Sequence, residues 1–389
     1  MKRVSPLATL SLLLVLAVPA RADDTGNFVV RLGLDTTSVE HYVRTANRLE
    51  IDQVGRAPRT LRRHFTYDMK DGAITHVSIV ATPPGAAAPL QTAEVAYEGD
   101  SLRVEIKNGS AAPQVTHQRL SLGALLLFSS SPWAVYEGQI MKLVKARPDT
   151  LGGPLYIVGF PSPERFLLRK LGRDSVEISD THGDVYHAAV DKAGHILGTL
   201  PVAGTAKFGI TRVASLDVDA LANGYMAREQ AGQGVGTLSP RDTVRVTNAG
   251  GAAITIDYGR PAKRGRAVFG AALVPYGEVW RTGANAATQF RTDKPLDFGG
   301  TVVPAGFYTL WSLPSAAGWK LIVNGETGQW GTQHNPARDL FTIDMKVSSL
   351  PQVVERFTIS VDPTSSGGVL NLDWDTTRAS AEFTVKPQP

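Results

Sequence analysis

The chain has 389 residues, with 40 Lys and Arg against 36 Asp and Glu, and no cysteine. The absence of cysteine excludes disulfides and thiolate chemistry, so stability has to come from burial. Three of the basic residues, Lys2, Arg3 and Arg21, fall within the first 22, which leaves 37 basic against 36 acidic residues beyond them; so small a net charge gives no argument for a nucleic-acid partner or an anionic membrane surface.

Lys2 and Arg3 precede an apolar run from Leu7 to Val18, and Ala20-Arg21-Ala22 offers small residues at the cleavage positions. This pattern predicts a secretory signal peptide over residues 1–22, cleaved after Ala22. The run is shorter than the roughly 18 residues a membrane span needs. No later run qualifies either: Leu120 to Phe128 is interrupted by Ser121 and Gly123. The expectation is an exported protein, periplasmic or extracellular, with no membrane span.

The following segment, residues 23–230, carries repeated hairpin signals at Lys70-Asp71-Gly72, Glu98-Gly99-Asp100, Lys107-Asn108-Gly109 and Lys192-Ala193-Gly194, which predict an antiparallel meander. Two helices are expected to interrupt it. In the first, Ser131 is the N-cap and Pro132 the first helical residue, with Trp133, Tyr136, Ile140, Leu143 and Val144 at helical spacing; the second runs from Asp219 to Gln230. A meander with a helix across one face can curl into a half-barrel that holds an apolar ligand. Residues 231–240, Ala-Gly-Gln-Gly-Val-Gly-Thr-Leu-Ser-Pro, are glycine-rich and uncharged and read as a linker. Beyond it, residues 241–386 contain seven strand-length runs: Ala253 to Tyr258, Phe307 to Leu313, Trp319 to Val323, Phe341 to Val347, Arg356 to Val361, Val369 to Trp374 and Ala379 to Val385. Short strands at that density predict a β-sandwich. The expected fold is all-β, a helix-crossed antiparallel meander followed by a sandwich.

One stretch of the second domain, Val274 to Thr288, has neither strand nor helix period. With its flanks it reads Tyr258-Gly259-Arg260-Pro261, then Lys263-Arg264-Gly265-Arg266-Ala267-Val268-Phe269-Gly270, then VPYGEVWRTGANAAT. These motifs, with Pro304-Ala305-Gly306-Phe307-Tyr308-Thr309-Leu310, Trp319 and Gly331, resemble the signature of a bacterial exported family, domain of unknown function twenty-nine eleven, over about residues 241–386. The resemblance implies no activity. Relatives carry glutamate where this chain has Ala286, so any chemistry resting on that carboxylate is lost here.

Read physically, Gly259, Gly265, Gly277 and Gly283 permit tight turns or close backbone approach, and Trp280 is expected to cap the sandwich core. Tyr258 and Tyr276 offer ring faces, Arg260, Arg266 and Arg281 planar donors for a carboxylate or phosphate, and Asn285 and Thr288 neutral hydrogen bonds. The alternative reading pairs Arg281 with Asp257 or Glu278 and lets Asn285 satisfy turn backbone. Lys263 and Arg264 read as a solvated loop. His182, His187 and His195 stand near Asp180, Asp184 and Asp191, but without a tight ligand motif, so no metal and no cofactor is expected. His334, near Asp339, is the sole imidazole of the second domain; without a Gly-x-Ser-x-Gly elbow it lacks a nucleophile.

The leading expectation is a non-enzymatic binding or interaction protein. Its partner would be a small molecule, a glycan or an envelope protein, held by Tyr258, Arg260, Tyr276, Arg281, Asn285, Thr288 and His334. One alternative is an extracytoplasmic hydrolase using His334 with Asp257 or Glu278. Another is a carrier of an apolar passenger in the first domain.

Overall fold

The structure, a computed structural model, describes residues 23–128 and 132–387. The leader expected over residues 1–22 and the N-cap expected at Ser131 lie outside the described residues.

The first domain is built on one sheet of fifteen strands. Strands β1 (Asp24–Leu32), β2 (Asp35–Arg44), β3 (Arg48–Gly55), β4 (Leu61–Lys70), β5 (Ala73–Thr82), β6 (Gln91–Glu98), β7 (Ser101–Asn108) and β8 (Gln114–Arg119) form one antiparallel meander. After β9 (Leu125–Leu127) and helix α1 (Trp133–Lys145) comes a second meander of β10 (Thr150–Ile157), β11 (Glu164–Lys170), β12 (Ser175–Asp180), β13 (Val185–Val190), β14 (Ile196–Ala203) and β15 (Gly209–Val213). β15 pairs with β1 and joins the halves, while β9 closes the far edge in parallel with β10. All four expected turns fall between paired strands.

The two edge strands, β8 and β9, are consecutive in sequence. Residues 120–124 alone connect them, a reach of about 20 Å for an extended chain. The sheet therefore curls into a trough, and α1 lies within it. Period-two alternation sorts the side chains: Phe28 and Val30 of β1 face the trough core, whereas Val29 faces outward with Val39 and Val54. That outer patch is covered by α2 (Val218–Gln230) through Ala222 and Tyr225. The Asp217 side chain caps α2 by accepting from Ala220 N at 2.9 Å.

The second domain follows a segment without helix or strand between Gln230 and Arg241. Its strands are β16 (Arg241–Ala249), β17 (Ala252–Gly259), β18 (Thr288–Thr292), β19 (Leu296–Phe298), β20 (Thr301–Val303), β21 (Gly306–Pro314), β22 (Trp319–Asn324), β23 (Asp339–Pro363) and β24 (Gly367–Val385). They are ordered β16-β17-β18-β21-β22-β23-β24-β19-β20 and fold over one core. Here the expected strand count needs correction. The runs Phe341 to Val347 and Arg356 to Val361 are two halves of the 25-residue β23, and Val369 to Trp374 and Ala379 to Val385 are halves of β24. The β23–β24 ladder shifts register between Ser349 and Val354 and again before Thr358; such irregularities bend a strand pair without ending it, so one ribbon serves both layers.

Among the described residues, hydrogen bonds join the domains at two places. Leu34 N donates to Arg264 O at 3.0 Å, and the Arg264 guanidinium pairs with Asp35. Thr332 Oγ1 donates to His182 O at 2.6 Å, beside Trp330 stacked on the His182 ring at 6.0 Å.

Candidate functional site

Helix α1 docks into the trough through polar groups. On the inner face of β2, Glu40, Tyr42 and Arg44 alternate toward it. The Glu40 carboxyl oxygens accept from Trp133 N at 3.1 Å and Ala134 N at 2.9 Å, so a strand residue caps this helix. Pro132, expected inside the helix, occupies the N-cap position because its ψ of 140 is extended. Glu40 is fully buried, and burial pushes its carboxyl up to about 8 despite the two N–H donors that lower it. One turn on, fully buried Glu137 accepts from Tyr42 Oη, from Arg212 and from Ile196 N, the last at 2.7 Å, with Arg44 Nη1 at 3.4 Å. Burial and the Glu137 charge together raise the Tyr42 phenol.

Held this way, α1 presents Trp133 and Tyr136 to a cavity of about 360 Å³ between helix and sheet. That volume suits a small organic ligand. Much of the wall is apolar, with Phe160, Ile178 and Phe208 among its residues, and Leu238 of the interdomain segment and Trp330 of the second domain complete it. The β12–β13 side carries acidic groups. Burial, reinforced by the neighbouring Asp184 charge, raises Asp180 to about 6. Asp184 itself accepts from Thr205 N at 2.6 Å and Ala206 N at 3.1 Å. His182 Nε2 lies 2.6 Å from Glu164 Oε1, close enough for an ion pair but not aligned as a hydrogen bond. On the other arm of the sheet, Arg63 of β4 reaches the cavity beside Gly55.

The residues singled out in the second domain are dispersed. Tyr258 is 1% exposed, and its hydroxyl accepts from Ile359 N at 3.0 Å. Thr288 is fully buried and donates to Thr282 O at 2.7 Å. Arg260 braces β17 against β23, donating to Phe357 O and Thr358 Oγ1 and pairing with Asp242. Trp280 is buried at the head of the sandwich, parallel to Trp374 at 5.9 Å and edge-on to Phe357 at 4.9 Å. Gly259 is dictated by close approach, since a Cβ there would overlap Ala284 O. Tyr276 is 46% exposed, and Asn285, also exposed, has a positive φ of 62.

Arg281 pairs with neither carboxylate suggested for it. Asp257 is held by Arg241, whose Nε donates at 2.7 Å, and Glu278 is exposed. Arg281 instead points toward the first domain: its Nε is buried without a hydrogen-bond partner among the described residues, burial lowers its pKa to about 10, and Asp184 across the seam is the charge that opposes this. Nor is the basic loop before it solvated. Arg264 is 9% exposed and docks on Asp35, Lys263 pairs with Asp375 at 2.5 Å, and Arg266 donates to Lys263 O and Ala262 O.

The irregular stretch thus has an architectural product. Asn285 O accepts from Gly331 N at 2.9 Å, Ala286 bridges to Trp330, and a Cβ on Gly331 would overlap the Arg281 Cδ. The corner holds the Trp330 turn in place, and that turn covers the first-domain cavity.

His334 Nε2 lies 2.9 Å from Asp339 Oδ1, with its ring tilted on Trp311 at 4.9 Å; Asp339 also accepts from Asn324 at 2.7 Å. Neither Asp257 nor Glu278 is its partner. His182, His187 and His195 face different carboxylates, Glu164, Glu177 and Asp191, and among the described residues no group of three or more such side chains is arranged to hold a metal. The sequence reading missed Arg63. Its signal was a single cation on an otherwise apolar face, Leu61-x-Arg63-x-Phe65-x-Tyr67.

Residues 239–383 match the model of a family described as a protein of unknown function, DUF2911, in agreement with the resemblance read over residues 241–386. No curated protein matches the chain.

Proposed function

We propose that this is an exported, non-enzymatic binding protein that carries a largely apolar small molecule in the trough of its first domain, with the second domain supplying part of the cover. The observation that carries this reading is the cavity of about 360 Å³ walled by α1, the concave sheet and Trp330. A well-packed interior leaves few voids larger than a water molecule, and an aromatic-lined cavity with a few convergent polar groups is the usual form of a ligand site. The groups expected to bind in the second domain favour it as well: Tyr258, Thr288 and Arg260 are engaged with their own chain. The test is organic extraction of the purified protein followed by mass spectrometry, with Ser38→Phe as the comparison, since Ser38 lines the cavity. Wild type should release a defined apolar compound that the filled variant lacks. Empty wild-type protein that also fails to take up apolar fluorescent probes refutes the reading.

A second reading keeps the loop surface as a recognition site, favoured by the exposed Tyr276 ring and Asn285 amide. A pull-down partner lost on Tyr276→Ala but retained in Ser38→Phe supports it, and one indifferent to Tyr276 removes it.

A further inference from the structure

Four arginines have a buried nitrogen without a hydrogen-bond partner among the described residues: Arg63, Arg264, Arg281 and Arg356. Arg264 is paired with Asp35 through another nitrogen, and Arg281 has Asp184 opposing it across the seam. Arg63 is the one of the four that lines the cavity. Its Nη1 is the buried, unpartnered atom, and it lies directly over Gly55, where a Cβ would overlap it. Gly55 and Arg63 line the same cavity, so this guanidinium lies on the cavity side of β4, with Nη1 itself covered against Gly55. Burial alone pulls this guanidinium below its ordinary pKa, with no carboxylate acting against the shift.

A buried charge without a counter-charge is costly, and such groups in folded proteins are generally paired or wait for an ion or ligand. Guanidinium donors match carboxylate and phosphate oxygens in plane and spacing. The rest of the cavity offers ring and aliphatic surface, including Phe160 and Ile178. We propose that the ligand is an anionic amphiphile whose carboxylate or phosphate head pairs with Arg63 while its apolar body lies along the aromatic wall beneath Trp330. This rests on the cavity being the binding site and adds the chemical class of its occupant. Gly55 has a positioning role, since the absent side chain leaves room for the guanidinium.

The probes are a fluorescent polyene fatty acid, its methyl ester and inorganic phosphate, titrated into full-length wild type, Arg63→Met and Gly55→Ala. Wild type should bind the acid at least tenfold more tightly than the ester, and phosphate should compete with the acid only weakly. Arg63→Met should bind acid and ester alike. Gly55→Ala should weaken the acid and spare the ester. Because Arg63 has no counter-charge among the described residues, Arg63→Met should unfold at a temperature no lower than wild type, whereas a structural arginine would lower it. Equal binding of acid and ester by wild type, or an acid preference that survives in Arg63→Met, overturns the anionic assignment and leaves the cavity reading standing. Strong competition by phosphate alone overturns the amphiphile in favour of a small anion. Failure of wild type to bind either acid or ester overturns both.

Discussion

Replacing Glu137 by leucine tests how α1 is held against the sheet, and so what shapes the cavity. Leucine roughly conserves volume, which isolates the electrostatic loss from a cavity term. In the wild type this fully buried carboxylate receives Tyr42, Arg212 and Ile196 N and lies near Arg44. A hydrogen bond to a charged acceptor contributes about 1.5–3 kcal/mol, and four are removed, the one from Arg44 being the longest at 3.4 Å. The loss is tempered because Arg44 keeps Asp24 and Ala134 O, and Arg212 keeps Ile196 O at 2.7 Å. Breaking a buried ionic cluster by removing one member costs about 3–5 kcal/mol, and that is the expected destabilisation of the first domain. Urea titration read by hydrogen exchange of the α1 and β2 peptides separates this domain from its neighbour. Tyr42→Phe should cost about 1–2 kcal/mol in the wild-type background and much less beside Glu137→Leu, as coupled groups do. A loss below about 1 kcal/mol for Glu137→Leu, or additive costs in the pair, would refute the picture of Glu137 as an anchor tying α1 to the sheet.

Three further outcomes follow from the geometry. Trp330→Ala removes the second domain's ring from His182 and the cavity; release of a bound probe in stopped flow should quicken by up to about tenfold, the worth of one aromatic contact, and an unchanged rate means Trp330 is no cover. Gly259→Ala drives a Cβ into Ala284 O and should cost about 1–3 kcal/mol by overpacking, read as a lowered melting temperature of the second domain; an unchanged melting temperature refutes the close approach. Asp180, raised to about 6 in the fold against 3.8 as its ordinary value, keeps its proton when the unfolded chain has lost it, so its favourable contribution is full below about pH 4 and is lost as pH rises through 6. Urea midpoints of wild type should therefore fall relative to Asp180→Asn across that window, and parallel profiles would sink the assignment.

Much of the architecture was legible in the chain because its signals are local. Asp71-Gly72 and Asn108-Gly109 mark turns whatever surrounds them, and alternation in Ala253 to Tyr258 is a strand in any sheet. The corner at Val274 to Thr288 was legible as an irregular, glycine-dependent structure, and Trp280 as a core cap. Its purpose was not, since Arg281 and the Trp330 turn acquire meaning only against Asp184 and His182, about a hundred or more residues earlier in the chain. The merging of expected strands into β23 and β24 was hidden for another reason: a bulge bends a ladder with the same polar residues that would end it.

Sequence by itself determined the all-β character, the division near residue 240 in composition, the placement of both helices and the family signature of the second half. Tertiary structure decided which face of each strand is inside. Glu40-x-Tyr42-x-Arg44 has the polarity of a solvent face, yet it lies in the trough because α1 brings backbone donors and Glu137 to meet it. Alternation fixes that two faces differ, whereas which one is buried depends on partners delivered by chain closure over long separations, and the cavity with Arg63 on its wall exists only once that closure is made.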